Sequence, residues 1–164
     1  MILSTSQLKL FSLRDLRPGT LATLVGREDD VPVFIRLAEQ EASQSPVIMP
    51  LDGEYAFQAI PWSVNDYARV LCLPEELHFR LGNPFEAGNL RGAGFLTLHD
   101  KGACIGRAPV RGALGASPID IGTWLPLPSS SNQEALQSFS EWEIGRVLPN
   151  GDFQTLHKRS SVKR

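Results

Sequence analysis

A chain of 164 residues with 42% hydrophobic and 21% charged side chains can bury one core, so neither a disulfide scaffold nor a structural metal is required for folding. Its two cysteines, Cys72 and Cys104, are too few for such a scaffold and are expected to be reduced, separate and buried. A formal charge of −2 lacks the electrostatic signature of a dedicated nucleic-acid binder, and no apolar run reaches the roughly 18 residues of a transmembrane helix.

The charge is unevenly placed. Lys158, Arg159, Lys163 and Arg164 leave twelve basic against eighteen acidic residues in 1–157, an acidic body with a basic end. Residues 160–164 carry one apolar side chain, Val162, too little to offset the ~1–2 kcal/mol per residue cost of ordering backbone, so they read as a disordered basic tail on a single β-rich domain, 1–159. Polar residues interrupt Met1 to Phe11 where a signal peptide needs a continuous apolar stretch, so a cytoplasmic protein is expected. Twelve arginines against four lysines, with frequent Ala and Gly, suggest a bacterial origin.

Fourteen glycines and twelve prolines sit between short apolar runs, which favours many short strands over long helices. Leu8 to Leu13 alternates and ends at the turn Arg17-Pro18-Gly19, after which Thr20 to Val25 and Val31 to Leu37 read as a hairpin. Pro46 to Leu51 is a short strand closed by Asp52-Gly53. Tyr55, Phe57 and Ala59 alternate with Ala56, Gln58 and Ile60, apolar on both faces, which predicts a central strand stopped by Pro61. Ser63 to Cys72 predicts a short helix, with Ser63 and Asp66 as a capping box and Val64, Tyr67, Ala68 and Leu71 at helical spacing, although the same residues also fit a strand. Leu77, Phe79 and Leu81 around His78 and Arg80 give a half-buried strand.

Two later turns set registers. Asp100-Lys101-Gly102 reads as a three-residue loop with Gly102 left-handed, pairing His99 with Ala103 and Leu98 with Cys104, so that Leu96, Leu98 and Cys104 face inward. Ile119 and Ile121 make a brief strand, and Ser131, Glu134, Ala135, Leu136 and Phe139 predict a second short helix. Trp142 to Leu148 and Phe153 to Leu156 form a hairpin around Pro149-Asn150-Gly151, pairing Val147 with Phe153, Ile144 with Leu156 and Glu143 with His157. Together these runs predict a mainly β fold, a barrel or sandwich of short antiparallel strands with one or two short helices.

The chemistry is sparse. His78, His99, His157, Cys72 and Cys104 show no zinc-ligand spacing, and Gly115-Ala116-Ser117-Pro118 lacks the closing Gly of a nucleophile elbow, so no metal, cofactor or catalytic residue is assigned. His99-Asp100 is explained by exposure and turn chemistry at a hairpin tip. Trp62, Trp124 and Trp142 sit on apolar runs and read as core residues. Gly88, Gly92 and Gly94 with Arg91, and Gly112 with Arg107 and Arg111, combine backbone N–H groups with guanidinium groups, so Arg91, Arg107, Arg111 and His99 are the candidate ligand or anion-binding residues. The leading expectation is a non-enzymatic module binding a protein or small ligand, with self-association open. A β-barrel enzyme or cofactor binder with an arginine-lined anion site, or a structural subunit of a phage-like or other large assembly, are the alternatives; nucleic acid and membrane are not expected partners.

Overall fold

The computed structural model describes residues 9–24, 33–39, 45–62, 69–72, 77–84, 92–110, 116–128 and 135–159. Arg91, Arg111, Gly88, Gly112 and the tail 160–164 lie outside the described residues.

In chain order the strands are β1 (Lys9–Ser12), β2 (Leu21–Leu24), β3 (Phe34–Leu37), β4 (Val47–Pro50), β5 (Ile60–Pro61), β6 (Arg69–Cys72), β7 (His78–Leu81), β8 (Leu96–His99), β9 (Gly102–Ile105), β10 (Ile119–Asp120), β11 (Ala135–Phe139), β12 (Trp142–Val147) and β13 (Phe153–Arg159). The helical content among the described residues is one 3-10 turn, Leu13–Asp15, so the mainly β expectation holds. No helix among them is long and apolar enough to cross a membrane.

The strands form a six-stranded sheet ordered β1-β6-β2-β3-β4-β5, a four-stranded sheet ordered β10-β9-β8-β11 and a three-stranded sheet ordered β13-β12-β7, all antiparallel. The six-stranded sheet is covered on both faces, because side chains alternate along each strand and both sets here are apolar. On one face Leu21, Ile35, Leu37, Met49 and Leu51 join Leu96, Ile105, Ile119 and Phe139 of the second sheet and Trp142, Ile144 and Leu156 of the third in the main core. On the other, Phe34, Ile48, Ala22, Val70 and Cys72 pack with Leu13 of the 3-10 turn and with Leu16, which caps it. Phe11 of edge strand β1 and Ile60 of the opposite edge strand β5 reach that same second cluster, so the sheet curls on itself into a half-barrel. The other two sheets complete a sandwich-like arrangement around the main core. Arg36, on buried β3, is paired locally: its Nη1 donates to the carbonyls of Leu37 and Val47 and its Nη2 to Glu39 at 2.6 Å, an ion pair that balances its charge, while its Nε is buried without a partner.

Four local expectations are corrected. The predicted helix over Ser63–Cys72 is strand at 69–72, its first six residues lying outside the described residues; β6 is flanked by β1 and β2, and pairing on both sides outweighs weak helical spacing. The second predicted helix is strand β11 over 135–139, paired with β8, with a register irregularity at exposed Leu136. The predicted strand at Tyr55–Ala59 is largely a turn with Phe57 at φ 62, and only Ile60–Pro61 pairs, at the edge of the sheet instead of its centre, where proline sacrifices no ladder bond.

The fourth correction is the β8–β9 hairpin. Its loop is Asp100-Lys101, pairing His99 with Gly102, Leu98 with Ala103 and Thr97 with Cys104. Asp100 and Lys101 avoid positive φ and Gly102 takes φ 148 inside the strand, so glycine absorbs the twist without a third loop residue. Cys104 therefore shares a face with Thr97 and His99, away from Leu96 and Leu98. That face is buried too, with Thr97 and Ser138 hydroxyls 3.0 Å apart.

Neither cysteine is in a disulfide and both are buried, as expected, Cys72 in the six-stranded sheet and Cys104 in the four-stranded one. The native protein should therefore react slowly with a thiol reagent, and denaturation without reductant should release two titratable thiols; one or none would contradict the separation of the pair.

Candidate functional site

The C-terminal hairpin turns as expected. Pro149-Asn150-Gly151 forms a three-residue loop closed by Leu148 N–H to Asp152 C=O at 2.8 Å, and Val147 pairs with Phe153. Two pairs further on the register slips: Gly145 faces Thr155, but Ile144 faces His157 and Glu143 faces Lys158. Leu156 is the extra residue of a β-bulge, and the expected pairs of Ile144 with Leu156 and of Glu143 with His157 do not form.

The bulge decides which side chains enter the interior. In an unbroken strand His157 and Arg159 would share the outer face with Phe153 and Thr155; one inserted residue turns both inward, to the face of Trp142 and Ile144. Gly145 permits this, since a Cβ there would run into the Gln154 carbonyl and the Phe153 ring. The outer face gathers around Glu143 instead. Its carboxylate accepts from Arg80 and from the Thr155 hydroxyl at 2.8 Å, and Lys158 Nζ stands 3.2 Å away. The Thr155 and Arg80 hydrogen bonds, with Lys158 adding to them, pull the Glu143 carboxyl down to about 2.

Along the edge of β13, His157, Lys158 and Arg159 border a cavity of about 300 Å³, which is also lined by the turn Leu51–Gly53 with Phe57 and Ala93. The Arg159 guanidinium lies 4.6 Å from the Phe57 ring centroid and 5.8 Å from that of Phe95. Its Nε donates to the Ser140 carbonyl at 3.2 Å, while Nη1 is buried with no hydrogen-bond partner. Burial holds this guanidinium below its usual pKa. Among the described residues no carboxylate pairs with it, because Asp52 is turned to His157 and Glu143 to Arg80 and Lys158.

The backbone around Arg159 is shaped to admit it. Gly94, at φ 73, leaves open the space that the guanidinium occupies; a Cβ would overlap Nη1. The Gly94 carbonyl accepts from Trp142 Nε1 at 2.8 Å, which fixes this glycine over the aromatic cluster. Phe57 takes the left-handed conformation at a cost of about 1 kcal/mol for a residue with a Cβ, held there by its N–H to Pro50 and its carbonyl from Ala108. Its ring meets Trp142 edge-on, centroids 6.2 Å apart.

His157 is buried, with Nδ1 3.4 Å from an Asp52 carboxylate oxygen and Nε2 unpartnered. Burial pushes its pKa below the usual value, Asp52 opposes this and the Arg159 charge reinforces it, so the neutral ring is favoured in the folded state. This reverses the sequence expectation of a histidine charged by Glu143, and the bulge is the reason. Folding stability linked to His157 is present above the unfolded value of 6.5 and is lost as pH falls through the lower folded value. Melting temperature should drop on acidification below that point, and His157→Gln should lessen the slope; an unchanged slope would contradict this assignment.

Of the sequence candidates, Arg107 and His99 can be placed. His99 is 6% exposed, not solvated at a hairpin tip, because β11 pairs along β8 and Ala135 faces it; its Nδ1 accepts from the Lys101 N–H at 3.3 Å. Arg107 is partly buried, with Nε lacking a hydrogen-bond partner and its pKa lowered by burial, and the next residue, Ala108, donates to the Phe57 carbonyl at 2.8 Å. Neither side chain is a wall of the cavity. The glycine stretch does contribute, through Gly94, but to Arg159. Of the three tryptophans Trp142 is a core residue as expected, while Trp124 and Trp62 are partly buried, packed against the main core and the second cluster respectively.

Sequence reasoning missed Arg159 and His157 because it counted one only as part of a basic end and read the other as half of an exposed pair. The available cue was Gly145, since glycine inside a strand marks a bulge or a close backbone approach. No protein-family model, curated protein or solved structure matches this chain.

Proposed function

We propose that the protein is a non-enzymatic binding module whose ligand presents an oxyanion, a carboxylate or phosphate group, to the cavity at the end of β13. The observation that carries this reading is Arg159: a partly buried guanidinium on a cavity wall, with an unpartnered nitrogen and, among the described residues, no carboxylate in ion-pair contact with it, Asp52 on the same wall being turned to His157. Removing a charge from water costs free energy unless it is paired, and ring stacking offsets only part of that cost. An anion would supply the remainder, and guanidinium geometry suits a planar or tetrahedral oxyanion. The reading stops at binding because arginine, a fixed charge, exchanges no proton with a substrate, and the neighbouring histidine is tied to Asp52.

Inorganic phosphate is the probe. At matched ionic strength it should raise the melting temperature of the wild type relative to chloride, by an amount corresponding to about 2.7 kcal/mol at a hundred times Kd. Arg159→Met removes the charge while retaining an apolar stem, and Gly94→Ala displaces the charge without removing it; both should abolish the phosphate response. Equal responses in the wild type and the two variants would overturn the assignment.

A further inference from the structure

The cavity touches His157, Lys158 and Arg159 in succession. Successive side chains of a strand point to opposite faces, so a cavity bordered by three in a row runs along the strand's edge. β13 is an edge: apart from the bulged Leu156 its residues pair with β12 on one side and, among the described residues, with no strand on the other. Such an edge presents N–H and C=O groups that can accept a further strand. We infer that the oxyanion arrives on an extended peptide, an acidic segment that adds to the free edge of β13 and places a Glu or Asp carboxylate against Arg159. This rests on the anion reading above and deepens it.

Three observations favour a peptide strand over a compact free anion. The uncompensated charge lies at the end of the edge strand, where a side chain from an added strand arrives with its backbone already in register. Lys158, the other cation on the wall, is engaged by Glu143 on the outer face, so one carboxylate suffices where a dianion would ask for two free cations. The bulge at Leu156 aims Arg159 inward while leaving residues 157–159 extended, so selectivity comes from the pocket and affinity from main-chain pairing. Antiparallel addition is favoured, because its hydrogen bonds are the better aligned.

The test compares acetyl-Thr-Val-Glu-Val-Thr-amide with its Gln counterpart and with acetyl-Glu-amide, which keeps the carboxylate and lacks the strand. The pentapeptide should bind the wild type at least about tenfold more tightly than either comparison compound, should lose that margin in Arg159→Met, and should slow amide exchange at residues 157–159. If acetyl-Glu-amide or phosphate binds as well as the pentapeptide, strand addition is overturned and the anion site stands. If the Gln peptide binds equally with the same exchange protection, the role of the carboxylate is overturned. If neither phosphate nor any of these compounds binds, both readings fall together.

Discussion

Gly145→Ala is expected to destabilise the protein by about 3 kcal/mol, the upper end for overpacking, and to abolish phosphate binding. The methyl group would meet the Gln154 carbonyl and the Phe153 ring. A ring can rotate away, but the carbonyl belongs to the β12–β13 ladder, so relief requires the two strands to part beside the bulge. Parting them undoes the register slip that turns His157 and Arg159 inward, which links the stability loss to the binding loss. Gly151→Ala is the control. At φ 86, with nothing near its missing Cβ, it should cost only the left-handed strain of about 1 kcal/mol and leave phosphate binding intact. Urea midpoints with unchanged slope, read beside a phosphate titration, distinguish the two variants. Equal losses of binding in both would show that the bulge does not position the site.

Trp142→Ala should cost about 3–5 kcal/mol, a large share of the ~5–15 kcal/mol that stabilises a typical domain. The indole is 1% exposed and lies against Phe57, Phe79 and His157, with ring centroids 5.9 to 6.2 Å away. Its removal leaves a cavity where the third sheet meets the main core and also strands the Gly94 carbonyl, a buried acceptor whose isolation costs about 1–3 kcal/mol. Trp142→Phe separates the two contributions, since it keeps most of the packing and loses the hydrogen bond. It should fall between wild type and alanine in stability and should weaken phosphate binding, because Gly94 would no longer be fixed beneath Arg159. A phenylalanine variant as stable as wild type would contradict this account of the Gly94 contact.

The strands were legible in the sequence wherever one face alternates or a run is apolar throughout, as in Phe34–Leu37, Val47–Pro50 and His78–Leu81. The errors share a physical origin. Residues 69–72 and 135–139 have weak local preference, and their state is set by neighbours distant in the chain, β1 and β2 in one case and β8 in the other. Phe57 was read as strand because its left-handed backbone is imposed by hydrogen bonds to Pro50 and Ala108, which local sequence does not announce. The C-terminal turn was read correctly from Pro149 and Gly151, yet the register failed three residues later, since turn chemistry fixes pairing only as far as the first bulge. The site was lost with that register. An arginine-lined anion site was among the sequence expectations, but the arginine on the cavity wall is Arg159, on a strand that the sequence pattern ended at Leu156.

The central claim is that Arg159, turned inward by the bulge, holds an oxyanion at the end of β13. A phosphate titration at constant ionic strength, followed by amide chemical shifts along the whole chain, tests it most directly. Saturable changes concentrated at residues 51–53, 57, 93–94 and 157–159, and absent in Arg159→Met, are the predicted result. Changes scattered over the surface, or a pattern in Arg159→Met identical to that of the wild type, would contradict it.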